Sequence, residues 1–105
     1  EKVLTGYSEY YAKLQSKGIK VYFSYGPANL DGKFMPPKGL RLVYAEKVRA
    51  YIVSVPIISD MENYLYNGRY FWDTNYHLST EGAAMRTEQL IKDIKSQMTK
   101  DENNA

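Results

Sequence analysis

Apolar positions recur along the chain in blocks of two different periods, and the alternation of those blocks sets the expected order of elements. Val3/Leu4, Tyr7, Tyr11 and Leu14 fall at three- and four-residue steps, the spacing of one helix face, and Gly18 supplies a usual C-terminal stop. Directly after it, Ile19, Val21, Phe23 and Tyr25 alternate with Lys20, Tyr22 and Ser24. That period of two, with its β-branched and aromatic content, predicts a strand over 19–25. Helical spacing returns at Leu40, Val43/Tyr44, Val48 and Tyr51/Ile52. VSVPIIS, residues 53–59, predicts a second short strand. Its Pro56 either confines the ladder to 57–59 or places the strand at a sheet edge. A last helix begins near Ser79 or Thr80, where either hydroxyl can cap it and Glu81 meets the positive end of the helix dipole. Ala83, Thr87, Leu90, Ile94 and Met98 mark one face of it, and the tail from Thr99 is expected to fray.

Two irregular stretches separate these blocks. Gly26 to Gly39, GPANLDGKFMPPKG, is rich in glycine and proline and leaves the C-terminal end of the first strand, the edge where open parallel sheets bind ligands. DMENYLYNGRYFW, residues 60–72, is aromatic, with one helical turn expected near Met61 to Tyr64. The order α, β, long loop, α, β, aromatic loop, α predicts an α/β fold, a parallel sheet with covering helices. At 105 residues and with no linker, it reads as a single domain, 1–105.

Composition narrows the function classes. Hydrophobic residues at 44% and charged residues at 25% are the balance of a globular chain. No apolar run approaches the ~20 residues of a membrane-spanning helix. The first eighteen residues are amphipathic and unlike a signal peptide. The absence of cysteine removes disulfides, thiolate metal sites and a cysteine nucleophile. A net charge of +2 is too small to argue for nucleic acid. Lys33, Lys38, Arg41, Lys47 and Arg49 make the middle locally basic, which reads as the solvated face of a helix.

The one histidine, His77, follows Asp73 by four residues and stands just ahead of the last helix. A histidine acting as general base needs a carboxylate to fix its tautomer and must lie where substrate can reach, and this pair can meet both conditions. The alternative for such a pair is an ordinary capping or core hydrogen bond. A lone histidine without a second histidine or a cysteine makes a poor metal site, so neither metal nor cofactor is expected.

The whole phrase YFWDTNYHLSTEGAAMRTEQLI resembles the C-terminal block of the SGNH/GDSL hydrolase superfamily. There an Asp and a following His lie on the loop into the last helix, followed by Leu, a polar residue and Gly; here these are Asp73, His77, Leu78, Ser79 and Gly82. The phrase is similar above all to relatives that transfer acyl groups in the cell envelope or acetylate polysaccharides. The spacing is Asp-x3-His, where Asp-x2-His is the commoner form. The resemblance covers Tyr64 to Ile91, and GIKVYFSYGPAN is similar to a late strand of the same sheet. It implies a flavodoxin-like three-layer sandwich with parallel strands and helices on both faces. It also implies a serine esterase or O-acyltransferase acting on an acylated carbohydrate or cell-envelope polymer, outside the cytoplasm. His77 would be general base and acid and Asp73 its orienter, while Asn29 and Tyr76 would line the cleft, with Pro27 to Asn29 at its rim.

A nucleophile is not found. The sequence holds no Gly-Asp-Ser block and no Gly-x-Ser-x-Gly elbow, and Gly26-Pro27-Ala28-Asn29 is not the Gly-x-Asn-Asp oxyanion block. The chain therefore reads as the C-terminal portion of a larger SGNH-type domain, whose uncovered sheet edge and apolar face should promote self-association. The competing reading is a non-catalytic carbohydrate- or protein-binding module in which Tyr64, Tyr66, Tyr70, Phe71 and Trp72 form an aromatic platform. Plain packing of these rings onto the last helix is the simpler assignment. Arg69 and Arg86 read either as contacts to an anionic substrate or as exposed salt-bridge partners, and Met85 and Met98 as helix packing residues.

Overall fold

The computed structural model describes residues 2–52, 55–72 and 76–104. It contains three α-helices, α1 (Lys2–Ser16), α2 (Lys38–Tyr51) and α3 (Thr80–Asn103), and two short strands, β1 (Ala28–Asn29) and β2 (Leu65–Tyr66). The class is mixed α/β, with the two strands paired in parallel. The chain packs as two compact units, residues 1–23 with 36–57, and residues 24–35 with 58–105.

In the first unit α1 ends where the sequence places its stop. Gly18 takes φ 81°, the left-handed conformation that a glycine adopts without a Cβ penalty, and Ile19 N–H returns to Leu14 O. Tyr7 and Tyr11, one turn apart, stack at 6.2 Å. α2 starts behind Pro37, whose carbonyl accepts from Leu40 and Arg41 N–H, while the Arg41 guanidinium donates to Pro36 O at 2.8 Å. The apolar face expected over α2 is only partly covered. Val48 and Tyr51 are half-buried and Ile52, its C-cap, is 3% exposed, but Leu40, Val43 and Tyr44 are each more than 40% exposed. Among the described residues, which leave out 53 and 54, the expected strands over 19–25 and 53–59 contribute one parallel bridge between Phe23 and Ile57, with Phe23 N–H on Pro56 O. Pro56 lacks an N–H but its carbonyl serves, so the proline tolerates a single bridge and limits a longer ladder.

In the second unit the strands form inside the two stretches expected to be irregular. Ala28 pairs with Leu65 and Asn29 with Tyr66, and Leu30 N–H extends the pairing to Tyr66 O. The helical turn expected near Met61 is present as a 3-10 turn over Met61–Tyr64, capped by Asp60, and a second follows at Gly68–Tyr70. Tyr64, Tyr66 and Tyr70 are the buried hydrophobic residues described in this unit.

α3 runs to Asn103, beyond the fraying point expected at Thr99. Its last turns are held by side chains one turn apart, Gln97 Nε2 on Asp101 Oδ1 and Thr99 Oγ1 on Lys95 O, and Lys100 suits the negative end of the dipole. The face it buries also differs from the expected stripe. Of that stripe Leu90 and Ile94 are half-buried, whereas Ala83, Thr87 and Met98 are exposed, and Gly82, Arg86, Gln89, Asp93 and Gln97 are covered or half-covered beside them. The inward side of this helix therefore combines apolar residues with hydrogen-bonding ones.

Candidate functional site

The segment leading into α3 is built as an antiparallel stem. Phe71 and Leu78 are bridge partners, flanked by Trp72 N–H on His77 O at 2.9 Å and Ser79 N–H on Tyr70 O at 2.7 Å. Residues directly opposite in such a pair share a face, and successive residues alternate between faces. Phe71 and Leu78 therefore lie together on one side, where both are half-buried, and Trp72 and His77 lie together on the other, where both are exposed.

The stem is anchored at its base. Ser79 caps α3 by accepting the Gly82 N–H at 3.2 Å, satisfying one of the free donors of the first turn. Gly82 is buried so tightly that a Cβ there would lie 2.8 Å from Tyr70 O and 3.0 Å from Leu78 Cδ2. The first turn of the helix thus rests directly on the stem, and only glycine permits that approach. His77 is held two residues before the cap. Asp73, its expected partner, lies outside the described residues. Tyr76 is 69% exposed beside His77.

Asn29 is placed by a different device. Its Oδ1 accepts the Asp31 N–H at 2.8 Å, closing a side-chain turn, and Asp31 Oδ2 accepts the Gly68 N–H at 2.8 Å. A Cβ on Gly68 would lie 3.3 Å from both side-chain oxygens. Asn29 and Asp31 thereby fasten the 26–35 loop to the corner after β2, and Gly68–Tyr70 carries on into the stem.

Of the five aromatic residues considered for a platform, Tyr64, Tyr66 and Tyr70 are at most 9% exposed and offer no surface, while Trp72 is 79% exposed. Arg69 stacks on the Tyr70 ring, 4.6 Å from its centroid, and donates to its hydroxyl. Arg86 is half-buried, not a surface ion-pair partner. It sits 5.8 Å from the Tyr64 ring centroid, donates to Tyr25 O, and leaves its Nε without a partner among the described residues.

A polar network missed in the sequence lies beneath. Asp93 Oδ2 accepts from Ser59 Oγ at 2.7 Å and from Tyr64 Oη, Asp93 Oδ1 accepts from Gln89 Nε2 at 2.9 Å, and Ser24 Oγ lies 2.7 Å from Ser59 Oγ. Burial pushes the Asp93 carboxyl up, but the hydrogen bonds from Tyr64, Ser59 and Gln89, with the charge of Lys92, outweigh it and leave the carboxyl below its ordinary range. Burial raises the Tyr66 phenol, helped by Tyr64 and Asp93 and opposed by Arg86. The signal was available: Arg86, Gln89, Asp93 and Gln97 recur at steps of three and four, a polar stripe with helical period. An open groove of about 460 Å³ lies between Asn63, Leu65 and Tyr66 on one side and Met85, Glu88 and Lys92 of α3 on the other.

Among the described residues no group of three acidic, histidine or cysteine side chains could hold a metal, and no helix is long and apolar enough to cross a membrane. No family model, curated protein or solved structure matches the chain.

Proposed function

We propose that this chain carries the acid-base end of an SGNH/GDSL-type serine esterase or O-acyltransferase, with an acylated carbohydrate or cell-envelope polymer as substrate. The observation that carries the reading is the exposure of His77 on a stem whose register is fixed by paired backbone hydrogen bonds and whose base is clamped to α3. A base so held keeps its position while remaining open to substrate. His77 takes the proton of an attacking hydroxyl and returns it to the leaving alkoxide, and Asp73 accepts the other imidazole N–H and stabilises the imidazolium. The nucleophile and the oxyanion donors come from outside residues 1–105. Asn29 and Tyr76 border the cleft in this reading.

The finer fold belongs to the same proposal: a flavodoxin-like three-layer sandwich completed by strands that this chain does not contain. Two observations support it. The Phe23–Ile57 bridge and the β1–β2 pair are both parallel, and such pairings normally belong to sheets covered on both faces.

In the protein bearing this segment, His77→Ala should lower hydrolysis of acetylated oligosaccharides by about a hundredfold to ten-thousandfold, the usual range for a general acid-base group. Circular dichroism should show the fold unchanged. Retained activity in a folded variant would remove His77 from the chemistry.

A further inference from the structure

Two polar atoms in the second unit are closed to solvent and have no hydrogen-bond partner among the described residues: the Tyr66 hydroxyl and the Arg86 Nε. Leaving buried donors unpaired is costly, and a ligand that pairs them recovers that cost. The two groups are neighbours, since the Arg86 charge reaches the Tyr66 phenol. Burial raises that phenol above its ordinary range, so it keeps its proton at neutral pH and stands as an O–H donor beside the N–H of Arg86. Tyr66, 8% exposed, also lines the groove of about 460 Å³, and Arg86 follows directly on Met85 of the opposite wall. That volume is in the range of small-molecule sites.

The chemistry of the donors selects the ligand. Arg86 meets the Tyr25 carbonyl and the Tyr64 ring, neither of which carries a charge. Both donors therefore lack an acceptor, and the guanidinium lacks a counter-charge. A phosphate would supply both, but the surroundings oppose a dianion: Glu88 and Asp93 already balance Arg86 and Lys92. A carboxylate brings one charge and two acceptor oxygens. Leu65 and Met85 line the same groove and suit an apolar body.

We propose that this groove binds a small monocarboxylate, its oxygens accepting from the Tyr66 hydroxyl and the Arg86 Nε–H and its apolar body lying along Leu65 and Met85. Entry requires the Met85 side chain to turn aside, because neither donor is open to solvent; that side chain is unbranched and the residue 37% exposed. The site makes no use of His77 and stands or falls apart from the esterase reading.

Benzoate is the probe. Titrated at neutral pH into the nitrogen-15-labelled chain, it should shift the backbone amides of Leu65, Tyr66, Met85 and Gln89 along one saturable curve. Benzyl alcohol, the same ring without the charge, should shift them far less, and phenyl phosphate should bind more weakly than benzoate. Tyr66→Phe removes a hydroxyl that has no partner, so it should leave the thermal midpoint unchanged or raise it while weakening benzoate by about tenfold. Arg86→Lys keeps the charge but withdraws the Nε–H, and should weaken benzoate as well. Glu88→Gln, which removes an opposing charge from the groove, should tighten it. Absence of saturable shifts, equal binding of benzyl alcohol, or native affinity in Tyr66→Phe would overturn the proposal. So would a lowered midpoint in Tyr66→Phe, which would mean that the hydroxyl is already paired in the folded chain. Tighter binding of phenyl phosphate would overturn the carboxylate assignment in favour of a phosphate ligand.

Discussion

Replacing the carboxylate of Asp93 leaves the hydroxyls of Tyr64 and Ser59 and the amide of Gln89 without the acceptor they share. A half-buried network broken at its centre costs about 1–3 kcal/mol, so Asp93→Ala should lower the denaturant midpoint clearly, and more than Lys92→Ala on the exposed side. The carboxyl lies below its ordinary range when folded. Its contribution is therefore present above the unfolded value of about 3.9 and is lost as pH falls through the lower folded value. The groups facing it are Tyr64, Ser59, Gln89 and Lys92, with Tyr66 also within electrostatic reach. Stability of the native chain should drop as pH falls below about 4, and Asp93→Asn should flatten that slope. An identical acid profile for the two proteins would show that the network does not hold α3. Asp93 was hard to find in the sequence because it stands within a helix, where an acidic side chain is ordinarily solvated; its value comes from partners 29 and 34 residues away.

The three helices were legible because their signals are local. Apolar spacing, Gly18 as a stop and Ser79 as a cap act within one or two turns, and each is found where the pattern puts it. The strands were not, since β1 and β2 are two residues each and exist through a pairing across 37 positions that no alternation announces. A third kind of information, the contact of Gly82 with Tyr70 and Leu78, is visible in the sequence only as a glycine in the first turn of a helix, a place where it costs stability in isolation. Gly82→Ala should destabilise by about 1–3 kcal/mol through overpacking, and the exchange protection of the Trp72 and Ser79 amides should fall with it. Ser79→Ala, which removes only the cap, should cost about 1 kcal/mol and leave the stem amides protected. Equal effects from both would mean that the glycine serves helix formation and not the approach.

Large apolar side chains are exposed in both units, among them Leu42 and Tyr44 in the first and Phe34, Ile91 and Met98 in the second. In the proposed larger domain these positions are covered. The isolated chain should therefore associate in a concentration-dependent way or unfold at low denaturant, read by light scattering after size exclusion and by equilibrium unfolding. A monomer with high cooperative stability would argue that the fold needs no further strands. The candidate site divides in the same way between local and distant contacts. His77 and its anchoring residues stand out as a short contiguous phrase, while Asn29 is fastened by Asp31 and Gly68, contacts that neighbouring positions do not reveal.

The register of the stem has a bearing on its acid-base spacing. With 72 and 77 opposed, four residues separate the paired ends, and hairpin connections of three and of four residues are both common. In the proposed acid-base reading the Trp72–His77 pairing fixes both ends of that connection, so its length, rather than the start of α3, sets how far apart along the chain carboxylate and imidazole stand.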